Sequence, residues 1–275
     1  MRRFFVEQLP SQGETLVITG SEARHITKVL RMGQGDRVIL MDPKGTRFQA
    51  IIASVGTKGV SVTLEKALPP PPPSPVEITL CQALIKSQGM DYVIQKTSEL
   101  GVDAIWPFSS DRTVVGTGKD HGANKLRRWR EIARNAAKQA DRLRPAEVGP
   151  LSSFGDLMAR WRDEKGLKVI LWEGEESRDL KALLRSHSSP ERVVGVIGPE
   201  GGFSPQEIQT ALAAGFLSAS LGSRVLRSET AAVTFMAIIQ YEWGDLSVKA
   251  QGARHKAKTE KTLITKTRKD ENTKN

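Results

Sequence analysis

A single cysteine in 275 residues, Cys81, leaves nothing from which to build a disulfide framework, and a reducing compartment is expected. It lies in the apolar stretch VEITLCQALI and reads as a core residue. The four histidines, His25, His121, His187 and His255, have no ligand-type spacing, so no zinc or other metal site is expected. No apolar run reaches the roughly 18 residues that a membrane span requires. The opening MRRFFVEQLP turns polar after three apolar residues and does not read as a secretion signal, so a cytoplasmic protein is expected. There is no GxGxxG, no GxxxxGK[ST] and no GxSxG. Dinucleotide binding, P-loop chemistry and serine hydrolysis therefore lack sequence support.

What the chain has is positive charge, +10 at a pI near 9.8, which points to a polyanionic partner, either nucleic acid or an anionic membrane surface. From Lys249 onward, nine Lys and Arg face three acids, which leaves about +4 for the remainder. The segment 247–275 is expected to be a basic, disordered tail. The 39% hydrophobic content is enough for a proper core in one or two domains.

Five successive prolines in LPPPPPSP form a stiff spacer, so the expected organisation is a first domain over 1–68, a linker over 69–75 and a second domain over 76–246. Before the spacer, short strand candidates are punctuated by Gly13, Gly35, Gly45 and Gly59, as in a small β-barrel or sandwich. One helix, SEARHITKVLR, interrupts them, with Ile26, Val29 and Leu30 sharing a face. That leaves Arg24, His25, Lys28 and Arg31 for solvent or a partner. After the spacer, strands such as LKVILWE and RVVGVIG alternate with helices, the pattern of a mainly parallel α/β sheet covered on both faces. A long helix over 124–142 carries seven Lys and Arg against Glu131 and Asp141. It is either a solvated face or one that tracks a phosphate backbone, with Arg134 and Arg142 as candidate contacts.

Two loops share one grammar. In RVVGVIGPEGGFSPQEI a buried strand runs into glycines. A helix then starts at a capping box, Ser204-Pro205-Gln206-Glu207. The loop either holds a ligand or is simply a tight turn. Glu200 and Pro199 make it a poor phosphate site, so a ligand here would be neutral or cationic. In SLGSRVLRSETAAVTF a strand ends at Leu221, and Ser228 is placed to cap an apolar helix. Arg224 and Arg227 there are expected either to pair with Glu229 and Glu200 or to act on a ligand.

GPEGGFSPQEI and LGSRVLRSETAAV, preceded by QKTSELGV and RHITKVLRMGQGD in that order, resemble the RsmE family of ribosomal RNA uridine N3-methyltransferases. The resemblance covers nearly everything before the tail. It implies an N-terminal PUA-type β-barrel that grips RNA, a SPOUT-type C-terminal domain with a deep trefoil knot, and a homodimer. It also implies the cofactor S-adenosylmethionine, held by Leu171, Trp172, Glu173, Ile197, Gly198, Glu200, Gly201, Gly202, Leu221, Gly222, Val225 and Leu226. Arg227 is the implied stabiliser of a uracil anion, with Glu229 or Glu200 as its orienting or proton-accepting partner. Arg2, Arg3, Arg24, His25 and Arg31 would bind RNA together with the basic helix. The implied substrate is small-subunit ribosomal RNA, free or assembled. The chain departs from the family pattern at NAAKQADRLRP, where Lys138 and Ala140 stand for an acid and usually a serine. Action on another ribosomal or transfer RNA nucleotide is the rival within enzymes. A silent RNA-binding assembly protein is the rival outside them.

Overall fold

The computed structural model describes residues 1–71, 73–113 and 119–246. The basic tail and Pro72 of the linker lie outside the described residues.

Two sheets organise the chain. The first contains β1 (Arg2–Phe5), β2 (Thr15–Ile18), β3 (Arg37–Met41), β4 (Arg47–Gly56) and β5 (Gly59–Ala67). They pair in the order β1-β3-β4-β5-β2, with β1 and β3 parallel and the rest antiparallel. Phe4, Val38, Leu40, Ile52, Val62 and Leu64 fill its core by the alternation that half-buried strands require. Helix α1 (Gly20–Arg24) runs directly into a π-helical turn over His25–Val29. That wider turn breaks the expected apolar face. Ile26 is fully buried as expected, but Val29 is swung outward and is 69% exposed.

The second sheet contains β6 (Glu77–Ala83), β7 (Ala104–Ser109), β8 (Glu147–Val148), β9 (Ser152–Ser153), β10 (Leu167–Leu171), β11 (Arg192–Ile197) and β12 (Leu217–Ala219). All its pairings are parallel, in the order β12-β10-β11-β6-β7-β8, with β9 on β7. The helices are α2 (Ser87–Glu99), α3 (Lys119–Gln139), α4 (Phe154–Trp161), α5 (Leu180–Arg185), α6 (Pro205–Ala213) and α7 (Ser228–Glu242). They cover two separate apolar cores. One joins α2, α3, α5 and α7 to the sheet, and the other joins α4 and α6. Every residue of β10 is buried, as is nearly all of β11, which explains their unbroken apolar sequences. Gly195 of β11 is required by packing: a Cβ there would lie 2.2 Å from the Phe235 ring of α7.

The capping box at α6 forms as the sequence predicts, with Ser204 and Glu207 bonding reciprocally and Pro205 opening the helix. Gly215, just past its end, has φ +81°. Helix α4 had no counterpart in the sequence reading, although Ser153 caps it and Phe154, Leu157, Met158 and Trp161 line its buried face. Lys168 on β10 is buried. Its Nζ donates to the carbonyls of Trp161 and Arg162 at the end of α4 and of Ala214 at the end of α6. One cation thus satisfies the last carbonyls of two helices.

The two sheets meet through α3. Phe5, Ile39 and Met41 pack on Ala137. Around them Lys138 and Arg134 pair with Glu22, at 2.6 and 3.4 Å, and Asp141 receives Arg3 at 2.7 Å and Arg47 at 2.6 Å. Arg134 also donates to the Phe5 carbonyl.

Candidate functional site

In a parallel sheet the crevice beyond the carboxyl ends of the strands collects ligands. Here β12, β10 and β11 lie side by side and end at Ala219, Leu171 and Ile197, and the three loops that follow enclose a cleft of about 750 Å³. Leu171, Trp172 and Glu173 form one wall, Ile197, Gly198, Glu200 and Gly202 the second, and Leu221, Gly222, Val225, Leu226 and Arg227 the third.

Eleven of the twelve sequence-predicted cofactor residues therefore line one cavity. Gly201 does not. It is turned to the opposite side, where its carbonyl accepts from Arg112 at 3.0 Å and a Cβ would meet Arg112 Cβ at 3.2 Å. Gly202 carries the requirement instead. Its φ is +68°, and a Cβ there would stand 2.1 Å from Glu173 Oε1.

Sequence reasoning missed part of the lining. Glu175, Glu176, Ser177 and Asp179 follow Glu173 and form the acidic end of the cleft. The signal was present as a run of acids directly after a buried strand. Glu175 accepts from Ser177 and Ser218, and these hydroxyl bonds hold its carboxyl down at about 2. Asp179 caps α5 through Ala182 N and bridges to Ser220. The cleft thus presents five carboxylates (Glu173, Glu175, Glu176, Asp179 and Glu200) against Arg224 and Arg227. That surplus favours a ligand bearing positive charge and disfavours a phosphate.

Ser228 does not cap α7, contrary to the sequence expectation; Arg227 takes the N-cap position and makes no side-chain bond there. The Ser228 hydroxyl is used elsewhere, donating to Gly198 O at 2.5 Å and accepting from Gln82 Nε2 at 2.9 Å. Arg224 and Arg227 are exposed, and neither forms an ion pair with a described acid. The expected pairing with Glu229 and Glu200 is absent. Glu200 accepts from Lys86 N at 3.3 Å, and Glu229 is half-buried outside the cleft lining.

Arg2, Arg24 and Arg31 are exposed on the first sheet's unit, and His25 is half-buried with its ring edge-on to Phe4. Arg31 holds φ +53°. Three other candidate RNA contacts are committed inside the molecule: Arg3 to Asp141, Arg134 to Glu22 and Phe5, and Arg142 to Asp103 and the Ser98 and Val102 carbonyls. Their charge is matched, because the basic end of α3 is an intramolecular junction and not an open face.

Comparison with known proteins places this arrangement. Residues 72–240 match the RNA methyltransferase domain model, and residues 18–65 match the RNA methyltransferase PUA domain model. The chain is 30% identical over 248 residues to the Bacillus subtilis ribosomal RNA small subunit methyltransferase E, spanning 88% of this chain and 97% of that one. The chain belongs to the RsmE family. Among solved structures, a Legionella pneumophila protein described as a methyltransferase, in complex with the bound cofactor SAM, is 34% identical. It covers 89% of this chain and 98% of that one at a TM-score of 0.81. The Neisseria gonorrhoeae ribosomal RNA small subunit methyltransferase E bound to S-adenosyl methionine is 31% identical, with a TM-score of 0.80 over 90% and 100% of the two chains. Among the described residues no group of His, Cys, Asp or Glu is placed to hold a metal, and no helix is long and apolar enough to cross a membrane.

Proposed function

We propose that this chain transfers the methyl group of S-adenosylmethionine to N3 of a uridine in the RNA of the small ribosomal subunit. The observation that carries the reading is the acidic, glycine-walled cleft at the ends of β12, β10 and β11, in a chain of the RsmE family. When bound, S-adenosylmethionine supplies an activated methyl group on a good leaving group.

The cleft's residues suit that group. Gly202 keeps backbone close to a ligand without a side chain intervening, Gly198 lines the cleft by its backbone while a Cβ there would press on the buried Phe203 ring, and the surplus of carboxylates offsets a sulfonium charge. Backbone groups of Leu221, Val225 and Leu226 would hold the adenine edge. The chain's further task is to make N3 nucleophilic, since it carries a proton. Arg227, exposed at the cleft with no ion-pair partner among the described residues, is placed to stabilise the uracil anion once that proton has gone. Glu200 lines the same cleft and is the better proton acceptor of the two acids, because Glu229 lies outside the lining. Arg2, Arg24, His25 and Arg31 would grip the RNA, with the target base drawn out of its stack to reach the cleft.

The finer architecture belongs to the same proposal. The first sheet closes as a PUA-like barrel over 1–68, 69–75 is a linker, and 76–246 is a SPOUT-type domain with a trefoil knot. The chain acts in the cytoplasm as a homodimer. Exposed Tyr241 on α7, 68% accessible and flanked by half-buried Val233 and Ala237, supports the dimer. Mass spectrometry of nucleosides from small-subunit RNA incubated with the protein and S-adenosylmethionine tests the reaction. 3-Methyluridine is the expected product. A ribose-methylated nucleoside or unmodified RNA would overturn the assignment.

A further inference from the structure

Gln82 sits at the end of β6, opposite Ile197 of β11, and is fully buried. Its amide orientation follows from its neighbours. Nε2 lies 3.0 Å from the Ala83 carbonyl, which can only accept, so the nitrogen must face that carbonyl. The same nitrogen donates its second hydrogen to Ser228 Oγ at 2.9 Å. With that lone pair taken, the Ser228 proton points to Gly198 O, 2.5 Å away. The relay therefore has a direction set by chemistry: amide to hydroxyl to carbonyl. The other end of the Gln82 amide, Oε1, is buried with no hydrogen-bond partner among the described residues. An apolar residue of similar shape would fill the site without that unfavourable orphan.

We infer that Gln82 and Ser228 are positioning residues that lock the Gly198–Gly202 loop to the start of α7, and so set the shape of the cofactor cleft. Gly198 O is the first carbonyl after β11, and Ser228 directly follows the third wall, which ends at Arg227. One hydroxyl fixes two walls of the cleft to each other, and Gln82 fixes the hydroxyl. The inference rests on the proposed cofactor for its functional meaning, but the lock itself does not depend on any ligand.

Two readouts keep those apart: amide hydrogen exchange of Gly198–Gly202 in the ligand-free protein, and calorimetric affinity for S-adenosylmethionine. Ser228→Ala should raise exchange across the loop and weaken binding about tenfold, the effect of one lost buried hydrogen bond. Ser228→Thr keeps the hydroxyl and should bind within about threefold of wild type. Gln82→Glu should behave like Ser228→Ala, because the new carboxyl oxygen accepts a hydrogen bond from the Ser228 hydroxyl and turns it away from Gly198 O. Combining the two changes should add little, since both break one relay. Unchanged exchange in Ser228→Ala, or fully additive losses in the double variant, would overturn the inference. Should Ser228→Ala not fold, Gln82→Glu carries the test through the same readouts. If wild type binds no S-adenosylmethionine, the proposed function fails while exchange still decides the lock.

Discussion

Arg47 donates to Asp141 across 2.6 Å, joining a strand of the first sheet to the residue two positions past α3. Asp141 also receives Arg3, and it holds φ +57°, a conformation in which Asp and Asn are among the few tolerated side chains.

Asp141→Ala should destabilise the protein by roughly 1–3 kcal/mol, because the nearly buried Arg47 guanidinium loses its acceptor. Asp141→Asn keeps an acceptor and the backbone preference, so it should cost less. Chemical denaturation gives both values. Ligand affinity at the distant cleft should not change in either variant.

The two adjacent glycines of the second wall should separate cleanly. Gly202→Ala places a methyl against Glu173 in a backbone conformation unfavourable to alanine and should weaken cofactor binding by tenfold or more. Gly201→Ala meets only Arg112 on the far side and should bind within about threefold of wild type. Equal losses in calorimetry would show that Gly201 reaches the ligand after all.

Arg227→Ala tests catalysis against structure. Loss of a preorganised charge partner typically slows turnover about 100- to 1000-fold. Because Arg227 is exposed and unpaired among the described residues, its melting temperature should stay close to wild type. Arg227→Lys should restore little, since lysine lacks the planar fork. Single-turnover methylation with a near-normal rate would remove Arg227 from the chemistry.

Glu175 gives a pH signature. Its hydroxyl partners lower its carboxyl from 4.5 to about 2, so the folded state favours the charged form. The resulting stabilisation is fully present above 4.5 and is lost as pH falls towards about 2. The stability difference between wild type and Glu175→Gln should therefore be constant from neutrality to the upper value and shrink below it. A difference that stays flat through the acid range would refute the hydroxyl-held carboxylate.

Where the sequence was informative, the signal was local. The β-branched run of β11, the capping box of α6 and Gly215 are each written within a few neighbouring residues, and the structure realises all three. What escaped depends on partners far along the chain. Arg3, Arg134 and Arg142 read as a phosphate-binding face, yet their acceptors are Asp141, Glu22 and Asp103, none of them local to the arginine it holds. Ser228 has the residue type of a helix cap, but Gly198 and Gln82 claim its hydroxyl from 30 and 146 positions away. Gly201 and Gly202 are indistinguishable in sequence, and only the backbone's course shows which one lines the cleft. The glycine-containing loops were legible as a cleft because they follow buried strands. The acids after β10 join the cleft only because β12 lies beside that strand, a pairing with residues about fifty positions further along the chain.

Helix α7 reaches back from the edge strand β12 to pack on β11, β6 and α2, elements laid down much earlier in the chain. During synthesis the first sheet and most of the second can form before α7 has been made. The third wall and the Ser228 hydroxyl come only with the closing segment. A nascent chain lacking α7 would carry the first sheet but no finished cleft. The first sheet and the cleft thus form in that order during translation, and the cleft is not whole before α7 has been made.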